Sequence, residues 1–209
     1  QVRPLLTARE RNAAALFLIL NTLANRKKVV ISRGELVQIG GGFRIPDIMK
    51  RSGAKLAEVG TTNITTADDY ESQLEDGASL ILKVHKSNFI QAGFSEETSL
   101  KELVALGKKH RIPVVNDLGS GVFVPTDKLL GYGEPTVQQS VRAGADLTCF
   151  SGDKMLGGVQ AGMIVGREDY IKKIKKNPMF RTFRVDKIVF STVEKLLTIY
   201  LNNTHLTDI

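Results

Sequence analysis

The chain has 209 residues, 42% of them hydrophobic and 24% charged, which suits one large globular domain with a substantial core and excludes a low-complexity or fibrous chain. A single cysteine, Cys149, excludes an internal disulfide framework and points to a reducing compartment, while no apolar run of about eighteen residues and no signal-peptide profile occur, so the expectation is cytoplasmic, with no membrane partner. The net charge is +7 with a pI near 9.5, favouring anionic partners; between Arg167 and Lys187 eight Lys or Arg stand against three Asp or Glu, an excess that a solvated basic helix face would also give.

Residues 1–11 mix Pro4 with several charges and show no clear period, so they read as an arm or the stump of something longer. From Asn12 to Asn25 the pattern is helical, with Asn12 as N-cap, three alanines in the first turn and leucines on several faces. Backbone N–H groups in such a first turn are open to an anion. Val29–Ile31 is a short buried strand running into the polar cluster Ser32-Arg33-Gly34-Glu35, at the strand end where ligands gather in open α/β sheets. Gly40-Gly41-Gly42 is a turn, Pro46 opens a helix that Gly53 ends, and Lys55–Val59 is the next strand. Ala67–Glu75 is a helix, and Ala78–Val84 a strand ending in His85-Lys86-Ser87-Asn88. Thr98–His110 has helical spacing, Pro113–Val115 is a strand ending at Asn116-Asp117, and Glu134–Ala143 is a helix. Ala145–Phe150 is an apolar strand, and Gln160–Gly166 returns from a connection too short for a helical crossover, hence antiparallel. Tyr170–Lys176 is a basic helix broken by Pro178. Asp186 caps a last helix through Tyr200, and the end trails off. Short apolar strands alternating with amphipathic helices predict an α/β domain with a mostly parallel sheet flanked by helices.

Two positions carry chemistry. Lys154 sits just past the Ala145–Phe150 strand, between small residues in Ser151-Gly152-Asp153-Lys154-Met155-Leu156-Gly157-Gly158. A desolvated lysine there could act as a neutral amine toward a carbonyl; the plainer alternative is a lysine in a Gly-rich turn. Asp117 stands at another strand end before Gly119-Ser120-Gly121, as a turn residue or as a buried anion awaiting a cation. Cys149, at the end of an apolar strand, reads as a packed small residue rather than a nucleophile. An anion site, a strand-end carboxylate and a strand-end lysine together match the needs of pyridoxal phosphate: a phosphate cradle, a partner for the pyridine nitrogen and an amine for the aldehyde.

The blocks Val30-Ile31-Ser32-Arg33-Gly34-Glu35-Leu36-Val37, Phe43-Arg44-Ile45-Pro46-Asp47, Glu58-Val59-Gly60-Thr61-Thr62-Asn63, Lys83-Val84-His85-Lys86-Ser87-Asn88, Asp117-Leu118-Gly119-Ser120-Gly121 and Phe150 to Gly158 resemble the bacterial selenocysteine synthases, the L-seryl-tRNA(Sec) selenium transferases. The resemblance runs from Asn12 to about Tyr200. It implies the large domain of a fold-type I pyridoxal phosphate enzyme, a homo-oligomer of dimers that turns seryl-tRNA(Sec) into selenocysteinyl-tRNA(Sec) with selenophosphate, by β-elimination and then addition. Carried over by motif, Lys154 would bind the aldehyde, Asp117 would hold the pyridine nitrogen and Asp153 would assist proton transfer. Ser151, with the backbone at Asn12, Ala13 and Ala14, would bind the phosphate. Arg33, Gly34 and Glu35 would lie over the ring, with Asn88 also at the cofactor, and Arg181 and Arg184 would grip selenophosphate; no metal is implied.

The sequence departs from the family pattern at Arg9-Glu10-Arg11-Asn12, where the family has Val-Asn-Asn-Asn, and at Val159, where it usually has proline. The expected organisation is an arm over 1–11, the cofactor domain over 12–185, and a helix over 186–209 leading to a small domain outside this sequence, the whole being a fragment of a longer enzyme. Rival readings are another pyridoxal phosphate enzyme on the same scaffold, such as an ammonia lyase of a small sugar acid or amino acid, and a non-catalytic module showing its basic face to RNA. A nucleotide-binding α/β protein is disfavoured because no G-x-G-x-x-G or Walker pattern follows a strand.

Overall fold

The computed structural model of the chain describes residues 5–7, 11–39 and 42–209; the rest of the 1–11 arm and the Gly40-Gly41 part of the expected turn lie outside them. In chain order the strands are β1 (Leu5–Thr7), β2 (Lys28–Ser32), β3 (Gln38–Ile39), β4 (Phe43–Arg44), β5 (Lys55–Val59), β6 (Leu80–Val84), β7 (Val114–Gly119), β8 (Leu147–Ser151) and β9 (Gly162–Gly166). The helices are α1 (Arg11–Leu23), α2 (Ile45–Ser52), α3 (Ala67–Glu75), α4 (Leu100–His110), α5 (Asp127–Leu130), α6 (Val137–Ala143), α7 (Glu168–Lys176), α8 (Pro178–Thr182), α9 (Lys187–Leu201) and α10 (His205–Asp208).

The main sheet has the order β1-β9-β8-β7-β6-β2-β5. From β5 to β8 every pairing is parallel, whereas β9 runs antiparallel to both β8 and β1. Alternation along the strands sorts the core into two faces. Val29, Ile31, Leu80, Leu82, Val115, Leu147, Cys149 and Ile164 meet the buried leucines of α1 and the apolar residues of α2 and α7. Val30, Ile81 and Val114 turn the other way, toward Tyr70 and Leu74 of α3 and Leu103 and Val104 of α4. Phe150, Met163 and Val165 share that second side with Val137 and with Val193 and Leu196 of α9.

Boundaries shifted where a side chain, rather than apolar spacing, sets the start. Ser99 caps α4 and exchanges hydrogen bonds with Glu102, and Thr136 does the same for α6 with Gln139, so these helices begin at Leu100 and Val137, later than the expected Thr98 and Glu134. Asn12 is not the cap of α1: the helix already includes Arg11. Pro178 ends α7 and also stands at the first position of α8, which Asn177 caps through Met179 N at 2.9 Å. Leu5–Thr7 of the arm add an edge strand, and the trailing end forms one turn, where His205 stacks on Tyr200. Among the described residues no helix is long and apolar enough to cross a membrane.

Candidate active site

The face that α1 covers holds the site, and strand alternation puts the site residues there. Val115 and Asp117 point the same way from β7, as do Leu147, Cys149 and Ser151 from β8, with Asp117 opposite Cys149 in the parallel register. A register shift between Asp117 and Gly119 ends the regular pairing. The first turn of α1 comes over these strand ends, where Asn12 Nδ2 donates to Asp117 Oδ1.

A cavity of about 400 Å³ opens at this point. Asn12 and Ala13 contribute from α1, Asp117 and Gly119 from β7, and Ser151, Asp153 and Lys154 from β8 and its turn; Val84, His85, Ser87 and Asn88 come from the end of β6, and Val37, Ile39, Phe43 and Gln160 complete the wall. A Cβ placed on Gly119, whose φ is +66°, would lie 3.8 Å from both Lys154 Nζ and Ser87 Oγ. Lys154 therefore reaches back to the turn that follows Asp117. The expectation of a buried lysine is corrected: Lys154 is exposed together with Asp153 and Met155, while Gly152 and Leu156 on either side take the inward positions. Burial cannot be what prepares this amine in the cofactor-free chain.

Asp117 is the buried charge, at 4% exposure. Burial pushes its carboxyl up to about 6, against the opposing pull of the Asn12 hydrogen bond, the Lys154 charge, the Cys149 thiol and His85. Cys149 is fully buried, and desolvation together with the Asp117 charge pushes its thiol well up, so it stays protonated and inert. Two polar atoms beside Asp117, Ser151 Oγ and Asn12 Oδ1, are buried with no hydrogen-bond partner among the described residues. Buried polar groups are seldom left that way, and here both border a cavity.

Other expected residues lie elsewhere. Arg33, Gly34 and Glu35 form a 3-10 turn and do not line the cavity. Glu35 is buried and accepts from Lys83 Nζ at 2.9 Å and Val84 N at 2.8 Å; burial raises its carboxyl against the pull of Lys83. Arg33 turns outward to Glu58 at 3.0 Å. A Cβ on Gly34 would meet Thr62 O at 2.7 Å, so this turn is packed against the β5–α3 loop and braces β6. Asn88 lines the cavity and donates to Gln38 O at 3.1 Å. Ala14 faces a neighbouring groove, and Arg181 and Arg184 are exposed on and after α8, away from the cavity wall.

His85 was missed. It lies in the cavity wall, half-buried, with Nε2 2.8 Å from Glu134 Oε2. The strand-end rule that singled out the cluster after β2 applies equally to the residue directly after β6. Phe43 and Gln160 were missed as well: Phe43 stands in the two-residue strand β4, too short to give a periodic signal, and Gln160 was read only as the start of the returning strand.

The chain matches the model of the SelA family, described as L-seryl-tRNA selenium transferase, over residues 7–209. It is 52% identical over 191 residues to the L-seryl-tRNA(Sec) selenium transferase of Alkaliphilus metalliredigens, covering 91% of this chain and 41% of that protein. With the enzyme of that name from Aquifex aeolicus it is 52% identical over 195 residues, covering 93% and 43%. The chain thus spans less than half the length of these relatives. Among solved structures, D-glucosaminate-6-phosphate ammonia-lyase matches with a TM-score of 0.74 at 20% identity, over 95% of this chain and 53% of that one. An aspartate aminotransferase variant of Thermus thermophilus matches at 0.68 and 17% identity, over 96% and 51%. A serine palmitoyltransferase variant from S. paucimobilis, solved with a pyridoxal phosphate–myriocin aldimine, matches at 0.65 and 17% identity, over 94% and 48%. At such identities these likenesses establish the fold, that of the fold-type I pyridoxal phosphate enzymes, and not the reaction.

Proposed function

The chain belongs to the SelA family of L-seryl-tRNA selenium transferases, and on that premise we propose that it is the cofactor-binding domain of an enzyme that converts seryl-tRNA(Sec) to selenocysteinyl-tRNA(Sec) with selenophosphate. The proposal includes pyridoxal phosphate as cofactor, a homo-oligomeric assembly and a cytoplasmic setting. The donor set fits that cofactor. Asp117 is a buried carboxylate with no full cation partner, Lys154 is an amine on the same cavity, and Ser151 Oγ and Asn12 Oδ1 are polar atoms awaiting a ligand. When bound, pyridoxal phosphate supplies an aldehyde that captures amines and a protonated ring that absorbs the electron pair left by a departing Cα proton.

The residues divide the remaining work. Asp117 keeps the ring nitrogen protonated, since a carboxylate held in a low-dielectric site favours a cation beside it. Ser151 Oγ and the first-turn amides of α1 take the phosphate, as helix N-termini do for anions. Lys154 Nζ would bind the cofactor aldehyde and would be the base placed to take the Cα proton, and Asp153, adjacent in sequence and in the same wall, would assist that proton transfer. His85 offers its ring at the wall, held by Glu134. Arg181 and Arg184 make no ion pair among the described residues, and on the family pattern their guanidinium forks grip the selenophosphate oxyanions.

The observation that carries the reading is the convergence, at the end of one sheet face, of a buried carboxylate, an amine and two orphaned polar atoms. Adding pyridoxal phosphate to the purified chain tests it. The expected result is the visible absorbance band of a lysine-bound pyridoxal, abolished by Lys154→Ala; a folded wild-type chain without that band contradicts the cofactor assignment. Conversion of seryl-tRNA by the longer protein carrying this domain then tests the reaction, and release of ammonia from an amino sugar acid would favour the lyase alternative.

A further inference from the structure

A second concavity of about 390 Å³ lies beside the active-site cavity, lined by Ala13, Phe17, Phe43, Arg44, Arg51 and Phe183 among others. Ala13 and Phe43 line both spaces, so the groove begins where the cavity wall ends. We infer that this groove seats the 3′-terminal adenosine of the aminoacylated tRNA, an inference that rests on the function proposed above. A seryl group esterified to the terminal ribose cannot enter the cavity without bringing ribose and base to rest directly outside it; of the two spaces that adjoin the cavity among the described residues, the one beyond Val84 and His85 carries Glu96, Glu97 and Glu134 and repels a nucleotide's phosphates, which leaves this groove.

Its chemistry suits a nucleotide. Phe17 and Phe183 meet edge to face with centroids 5.6 Å apart, both half-buried, and Phe43 is 41% exposed, which leaves aromatic surface for a base to stack on. Arg44 and Arg51 are exposed in the lining, and Arg181 and Arg184 flank Phe183 in the chain. None of the four makes an ion pair among the described residues; Arg44 is held only by Gln38, at 2.8 Å. Arg44 and Arg51, exposed beside an apolar floor, fit the phosphates leading to the base, while Arg181 and Arg184 are left to selenophosphate. The one acid in the lining, Asp47, offers an acceptor for an adenine amino group or a ribose hydroxyl.

The test uses the chain loaded with pyridoxal phosphate and three probes, with binding read by calorimetry: L-serinamide, 3′-serylamino-3′-deoxyadenosine, and the corresponding uridine compound. The adenosine probe is expected to bind about tenfold or more tighter than serinamide, with a smaller gain for uridine. Phe183→Ala and Arg51→Glu should reduce that gain and leave serinamide affinity unchanged, and Phe183→Leu, which keeps an apolar side chain against Phe17, guards against a folding defect. Serinamide binding with no gain from adenosine overturns the inference and leaves the proposed reaction standing, as does a gain that survives both substitutions. Self-association abolished by Arg51→Glu, with no adenosine effect, overturns it in favour of a second copy in the groove. A chain that takes up no cofactor overturns both readings.

Discussion

Asp117→Asn should make the cofactor-free chain more stable at neutral pH while destroying its use for the cofactor. The carboxyl is buried and its folded value is raised from 3.8 to about 6. The folded state therefore holds a proton that the unfolded state has lost between those values, and stability falls as pH rises through that window. At about 1.4 kcal/mol per pKa unit, the cost is complete above pH 6 and amounts to about 3 kcal/mol. Roughly half of it is incurred between pH 5 and pH 8. The substituted amide has no charge to desolvate and can keep an oxygen for the Asn12 amide, so the difference between variant and wild type isolates this one group. Urea unfolding of both cofactor-free proteins should show the variant ahead at pH 8 by up to about 3 kcal/mol, with the gap narrowing by about 1.4 kcal/mol at pH 5. Pyridoxal phosphate should reverse the order, because its ring cation offsets the buried carboxylate in wild type only. A variant that is less stable at pH 8 and keeps the wild-type pH slope would refute the account of Asp117 as an anion awaiting a cation.

Ser151→Ala removes a buried hydroxyl that lacks a partner among the described residues, so thermal unfolding of the cofactor-free protein should show no loss, while titration should show pyridoxal phosphate binding weakened about tenfold or more, the scale of a hydrogen bond to a charged group. Lys154→Ala should lose the visible band yet leave stability within about 0.5 kcal/mol, since the side chain is exposed. Glu35→Ala strips the nearer carboxylate from Lys83, whose side chain is only 14% exposed and keeps Thr98 O at 3.0 Å and Glu97 at 3.9 Å, and should cost about 3 kcal/mol in urea denaturation by leaving a poorly solvated ammonium short of opposing charge. A loss below about 1 kcal/mol there would show that Thr98 O, Glu97 and water suffice for Lys83.

The sheet was legible because buried parallel strands announce themselves as short apolar runs, and β9 was legible as antiparallel because its connection to β8 is short. Asp117, Ser151 and Lys154 were legible as strand-end polar residues. What the sequence hid was direction. Glu35 and Asp117 are both acids just beyond or at the end of a buried strand, yet the 3-10 turn after β2 folds Glu35 under Val84 while the regular alternation of β7 sends Asp117 to the α1 face. Arg181 and Arg184 came from the motif alone, because Pro178 starts α8 as well as ending α7 and no apolar spacing announces so short a helix. Lys154 was expected to be dry because its neighbours are small, but Gly152 and Leu156 take the inward positions of the turn and leave Asp153, Lys154 and Met155 exposed.

These placements divide the site into a part the domain builds by itself and a part it presents outward. Asn12, Asp117 and Ser151 are buried and held by α1 and by adjacent parallel strands, so the cradle for the cofactor depends on packing that this chain already contains. Arg44, Arg51, Arg181 and Arg184 are exposed and without ion pairs among the described residues, and exposed charges gain strength only where a partner excludes water from them. Cofactor binding should therefore survive in this chain alone, while turnover of seryl-tRNA should depend on whatever further surface encloses those arginines. Equal rates of selenium transfer by this chain and by a full-length relative, at equal cofactor occupancy, would overturn that division.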